Sequence, residues 1–297
     1  FMYRAVLEFY KPRLRLPKIN NKIKKFFTLF FPGVIGSGVI QLNIIIGTII
    51  ASFLPVGAIS HIYYADRLNQ LPLAIFGIAL GVVLLPRLSK AIKQDNQTDI
   101  NIIQNRSLEF SLLIALPSAV GLYVLAYPII HILFERGAFV HEDTFFTANV
   151  LSFFALGLPA YIIIKILITC FFAREDTRTP LYISIISVIS NIALSLMLIQ
   201  SMREMGIAVA TAISAWINAG LLYLILQLQS KILLDSLFFK NTIKIIFATI
   251  ILAFVASYLS KTLFIEMNEI SILIKIIYLI GIIAICKIIY LGLIIML

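Results

Sequence analysis

Runs of eighteen or more apolar residues recur along the whole chain, and a run of that length lets a helix cross about 30 Å of hydrocarbon. Such segments leave few structural options, because in lipid every backbone N–H and C=O must find its partner within the protein. The runs are unbroken and lack the alternation of apolar and polar residues that marks outer-membrane strands, so the spans are helical. Composition agrees. Of 297 residues 61% are hydrophobic and 13% charged, with a mean hydropathy of +1.03, against about 45–50% apolar and about 25% charged in soluble domains. The expected fold is an all-α polytopic membrane protein.

Eight transmembrane helices are expected, over residues 26–53, 60–85, 107–130, 145–172, 181–200, 206–226, 243–263 and 272–296. Pro32, Pro72, Pro117 and Pro159 fall inside them, where neighbouring helices or water can satisfy the freed carbonyls. The sharpest boundary is the polar stretch Ala173-Arg174-Glu175-Asp176-Thr177-Arg178-Thr179-Pro180. No loop is long enough to hold a separate folded module.

The net charge of +10 does not point to nucleic acid, because the basic residues cluster between apolar runs as topology signals do. With the N-terminal stretch and every second loop assigned to the cytoplasm, that side holds most of the Lys and Arg. The opposite loops hold only Arg136, Arg203 and Lys261, and Arg67, Lys165, Lys275 and Lys287 lie within spans. Both termini are therefore expected in the cytoplasm. Cys170 and Cys286 lie in apolar segments, with no disulfide framework and no ligands at metal spacing. No cleavable signal peptide is expected, and the chain, which opens at Phe1-Met2-Tyr3, is expected to be part of a longer protein.

The most informative polar feature is Tyr63-Tyr64-Ala65-Asp66-Arg67-Leu68-Asn69-Gln70-Leu71-Pro72, inside the second span. Ionised side chains at membrane depth cost several kcal/mol unless they face a cavity or a partner, so about 3 kcal/mol or more argues for a polar interior here. On a helix Arg67 shares a face with Gln70, Tyr64 and Tyr63. Asp66 points about 100° away, towards Asn69. An arginine in a low-dielectric cavity donates paired hydrogen bonds to phosphate or carboxylate, so its natural substrate is anionic. Asp66 could hold that arginine when no substrate is bound, act as a counter-charge, or bind a cation.

Other constellations have plainer readings. The basic segment from Lys11 to Lys25 is a topology determinant that could also meet anionic lipid headgroups. His131 and Glu135, with His141-Glu142-Asp143 close by, could suggest metal ligation, but read better as polar residues of an extracytoplasmic loop. Lys275 and Lys287 are expected to snorkel; Lys165, deeper in its span, can also reach the interface, and both a structural and a functional role stay open for it. Asn191 and Asn218 are expected to hydrogen-bond between helices, and the glycines of Gly33-Val34-Ile35-Gly36-Ser37-Gly38 to allow close helix packing. No catalytic set is present, so no enzyme activity is expected, and no cofactor or metal is called for.

Several of these segments resemble the MurJ (MviN) group of lipid II flippases, within the multidrug/oligosaccharidyl-lipid/polysaccharide exporter superfamily. They are Gln41-Leu42-Asn43, Ala51-Ser52-Phe53-Leu54-Pro55, the stretch from Tyr63 to Pro86 with Arg87-Leu88-Ser89-Lys90, Leu133-Phe134-Glu135-Arg136-Gly137-Ala138-Phe139, and Phe172 to Pro180. The resemblance implies helices seven to fourteen of a MurJ/MATE-like exporter: a basic cytoplasmic linker (1–25), a second six-helix lobe (26–229) and a C-terminal helix pair (230–297). The chain would be part of a longer two-lobe transporter, with its N-terminal first lobe as partner, or an inactive fragment lacking that lobe. The implied function is translocation of lipid II, an undecaprenyl-diphosphate-linked disaccharide-pentapeptide, across the bacterial inner membrane by alternating access. A related exporter of drugs or polysaccharide-linked lipids is the alternative. Arg67 matches a cavity arginine preceded, as here, by an aspartate, and Asp66, Gln70, Tyr63 and Asn69 would shape the substrate site. Where some members carry an acidic residue three positions after that arginine, this chain has Gln70. The last two helices would form a groove for the lipid tail.

Overall fold

The computed structural model describes residues 20–265 and 271–296. Of the basic segment expected over 1–25, residues 1–19 lie outside the described residues. Among the described residues nine helices follow in order: α1 (Asn21–Ala51), α2 (Ala58–Lys93), α3 (Gln97–Val124), α4 (Ala126–Phe134), α5 (His141–Phe172), α6 (Arg178–Met202), α7 (Glu204–Leu228), α8 (Ser236–Ile265) and α9 (Ile272–Met296). Among the described residues seven are long and apolar enough to cross a membrane. α2, at 36 residues, has the length but carries His61, Asp66 and Arg67. With α4 only nine residues long, the eight expected spans correspond to the eight long helices.

One expected span is corrected. The segment expected as a single helix over 107–130 is broken at Leu125, between α3 and α4. Pro128 has no N–H to give the Val124 carbonyl, so the i→i−4 ladder cannot continue through that turn.

Local chemistry sets the other ends. The Asn20 side chain accepts from the Ile23 N–H at 2.9 Å to start α1, and the Asn96 side chain accepts from Asp99 to start α3, each filling an orphan donor of the first turn. The polar boundary over 173–180 works through Asp176, whose carboxylate accepts from the N–H groups of Arg178 and Thr179 and from the Thr179 hydroxyl. α6 and α7 form a hairpin joined at Arg203, which takes a left-handed φ of 53°. A Cβ on Gly206 would sit 2.7 Å from the Leu198 carbonyl oxygen, so this hairpin closes only around glycine. Gly33 and Gly38, by contrast, have open space where a side chain would be, and only Gly36 approaches a neighbour, Leu181. The close packing expected of that glycine run is not its role here.

α5 is the axis of the bundle, with α2, α3, α4 and α7 packed around it and α1 on the outer face of α6. Its residues Leu151, Leu158, Ile162, Leu167 and Phe171 are fully buried. α8 packs along α3, and α9 against α8 and α4, around Leu252, Ile282, Cys286 and Tyr290. The two cysteines are free and buried. The helix starts of α2, α5, α7 and α9, with α4, gather at one end, which also holds His61, His131 and His141. The opposite end carries Arg106, Arg174 and Lys231, where the 229–235 connection is pinned. Gln104 and Arg174 donate to the Lys231 carbonyl, Asn105 donates to the Leu233 carbonyl, and Arg106 pairs with Asp235.

Candidate functional site

The two faces of α2 have different environments. His61, Ala65 and Asn69, spaced four apart, are buried, whereas Tyr63, Arg67 and Gln70 are exposed and Asp66 lies between. The Arg67 guanidinium sits 4.6 Å from the centroid of the Tyr63 ring, one turn earlier. That ring face orients the cation without using up its N–H donors. Gln70 donates to the Asp66 carboxylate, one turn later. Among the described residues Asp66 and Arg67 make no ion pair with each other; each takes its partner along the helix.

Asp66, Gln70 and Tyr63 line a cavity of about 220 Å³ between α1, α2, α6 and α7, together with Asn43, Asn191 and Thr211. Its far wall is a polar ladder. Asn191 donates to the Thr211 hydroxyl at 3.2 Å, and Ser195 donates to the Asn191 side-chain oxygen at 3.0 Å. Asn191 thus bonds between helices as expected. Asn218 does not: among the described residues its buried side-chain oxygen has no hydrogen-bond partner. Asn69, expected on the cavity edge beside Asp66, is 2% exposed and faces the bundle interior. Arg67 projects outside this cavity, on the exposed side of α2.

A second space, about 470 Å³, lies between α3, α8 and α9. Its walls are almost wholly apolar, including Leu113, Pro117, Leu252, Cys286 and Tyr290, and its charged member is Lys287. The Tyr290 hydroxyl donates to the Leu113 carbonyl at 2.8 Å across one side.

At the histidine-bearing end the structure assembles groups that the linear pattern left apart. His131 Nδ1 lies 2.8 Å from Glu135 Oε2, and its Nε2 lies 3.1 Å from Lys275 Nζ. Lys275 therefore does not snorkel; it ties the start of α9 to α4. Burial raises the Glu135 carboxyl, but hydrogen bonds from Thr144 and His131 outweigh it and hold Glu135 below the usual carboxylate value. Deeper in, His61 contacts Asp143 at 2.9 Å and Glu204 at 3.1 Å, joining α2, α5 and α7. Sequence reasoning missed this joint. Its one signal was a carboxylate at the start of each of two apolar helices.

With this geometry in view, a family model described as lipid II flippase MurJ matches residues 1–280. The chain belongs to the MurJ family. Relatives described as "Probable lipid II flippase MurJ" include one from Rhizobium tropici, 40% identical over 247 residues covering 83% of this chain and 46% of the relative. Another, from Rickettsia prowazekii (strain Madrid E), is 44% identical over 214 residues, covering 72% of this chain and 42% of the relative. The chain thus spans about half the length, or less, of these MurJ relatives. A solved structure of lipid II flippase MurJ in an inward closed conformation superposes with a TM-score of 0.70 at 29% identity, over 96% of this chain and 58% of that one. An outward-facing multidrug MATE transporter matches at a TM-score of 0.61 and 15% identity, over 91% of this chain and 62% of that one, a likeness of fold.

Within this MurJ-family bundle, three of the five expected site residues, Tyr63, Asp66 and Gln70, meet at one cavity, and Arg67 stands at its rim on the Tyr63 ring.

Proposed function

We propose that this chain supplies the second lobe and terminal helix pair of a lipid II flippase in the bacterial inner membrane, with the basic end and both termini in the cytoplasm. Residues 26–229 would form the lobe and 230–297 the pair. The observation that carries the reading is Arg67: an exposed cation on a helix of a MurJ-family membrane bundle, oriented by Tyr63 and paired with no carboxylate among the described residues. A guanidinium so placed suits a diphosphate, which accepts two parallel hydrogen bonds from its fork. Asp66, fixed by Gln70, and Tyr63 shape the wall beside it, and the apolar groove of α3, α8 and α9 suits a polyprenyl tail.

The lobe alone would not transport, because alternating access needs a second lobe moving against it about a shared site. The test is Arg67→Ala carried in a complete two-lobe protein as the only copy in the cell. The variant should reach the membrane at normal levels yet fail to support wall synthesis. Normal growth would overturn the assignment.

A further inference from the structure

The chain has only three histidines, and their partners fix different protonation states. His131 Nε2 faces Lys275 Nζ, which can only donate, so Nε2 carries a lone pair and Nδ1 carries the proton given to Glu135. His61 is the opposite case. Both of its nitrogens face carboxylate oxygens, Asp143 at 2.9 Å and Glu204 at 3.1 Å. A neutral imidazole has one N–H and would leave one of these contacts as lone pair against lone pair. Two donors are required, and the imidazole is the strongest base of the three groups.

We infer that His61, Asp143 and Glu204 form a proton-binding site that locks the start of α2 to α5 and α7. The charges around it agree. From α5 comes Asp143, from α7 Glu204, and from the α6–α7 joint Arg203, whose Nε lies 3.5 Å from the second Glu204 oxygen. Arg203 also sits over the Phe146 ring, which stacks on the other side of the joint against His61. With the proton bound, two cations meet two carboxylates. Without it, an uncompensated negative charge remains around Glu204, which is 0% exposed. The Asp143 side chain, 28% exposed, gives the proton its route to solvent.

The proton is therefore coupled to packing. The bound proton and the packed joint stabilise each other, so raising the pH until the proton leaves loosens the joint. The stabilisation is complete on the acid side and is lost as pH rises through the titration of the site itself. Release leaves facing acceptors at the start of α2, six residues (about 9 Å) from Arg67. This inference stands on the local geometry and does not depend on the transported substrate.

With three histidines, ring-¹⁵N-labelled histidine in the purified full chain gives a readable spectrum. His131→Gln and His141→Gln assign the remaining signal to His61 by elimination, so no His61 variant has to fold. At pH 7.5 His61 should show both ring nitrogens protonated. A singly protonated His61 at that pH would overturn the site. The thermal midpoint of the wild type should also fall more steeply between pH 6.5 and 8.5 than that of Glu204→Gln. Equal slopes would overturn the coupling to packing.

Discussion

The two faces of α2 are built from the same ten residues and do opposite work. Along one face His61, Ala65 and Asn69 are buried against α5 and α7; along the other Tyr63, Arg67 and Gln70 are left open. Both faces carry polar groups, so polarity does not separate them. Satisfaction does. His61 is clamped by two carboxylates from other helices, whereas Arg67 is steadied by a ring on its own helix and, among the described residues, pairs with no carboxylate. A polar group whose partners come from other helices fastens the lobe together, and one whose partner is local remains available to a ligand.

The largest effect that could break this contrast is on stability. His61→Ala leaves Asp143 and Glu204 without their shared partner and should cost about 3–5 kcal/mol, read as unfolding free energy in mixed micelles. Arg67→Ala, in the same assay, should stay within about 0.5 kcal/mol of wild type. Equal losses would erase the distinction between the faces. A smaller effect is expected at Ala65, which is 0% exposed. Ala65→Leu overpacks the interior and should cost about 1–3 kcal/mol, measured by the same titration. The smallest effect sharpens the contrast within the buried face. Among the described residues the buried side-chain oxygen of Asn69 has no hydrogen-bond partner, so Asn69→Leu should be neutral or stabilising by about 1 kcal/mol. A loss of stability there would mean that Asn69 has a role the static contacts do not reveal.

Much of the architecture was readable from the chain because lipid admits so few backbone solutions. The eight long helices, the prolines inside them and the polar boundary over 173–180 all follow from apolar runs and breakers. The break at Leu125 was harder to read, because the residues around it are uniformly apolar and only Pro128 marks the turn. At the site, the helical period grouped Tyr63, Tyr64, Arg67 and Gln70, all of which are exposed, although Tyr64 packs against Phe134 and Phe139 and Arg67 lies outside the cavity that Tyr63 and Gln70 line. It paired Asp66 with Asn69, because angular separation on a wheel does not say which side is buried. Burial of Asn69 and the Gln70 bond to Asp66 reverse that pairing. The His61 joint was out of reach: its carboxylates lie 82 and 143 residues away, and only the packing of α2, α5 and α7 brings them within bonding distance. Lys275 was misread for the same reason, since its partner sits on α4.

The terminal helices are anchored at three levels: Lys275 to His131 at one end, Tyr290 to the Leu113 carbonyl midway, and the 229–235 connection to α3 and Arg174 at the other. Mechanically this makes α8 and α9 cargo of the bundle rather than a swinging arm. Whatever chain lies in the groove they share with α3 rides with the bundle through any tilt, so motion at the Arg67 rim and motion at the groove are one displacement.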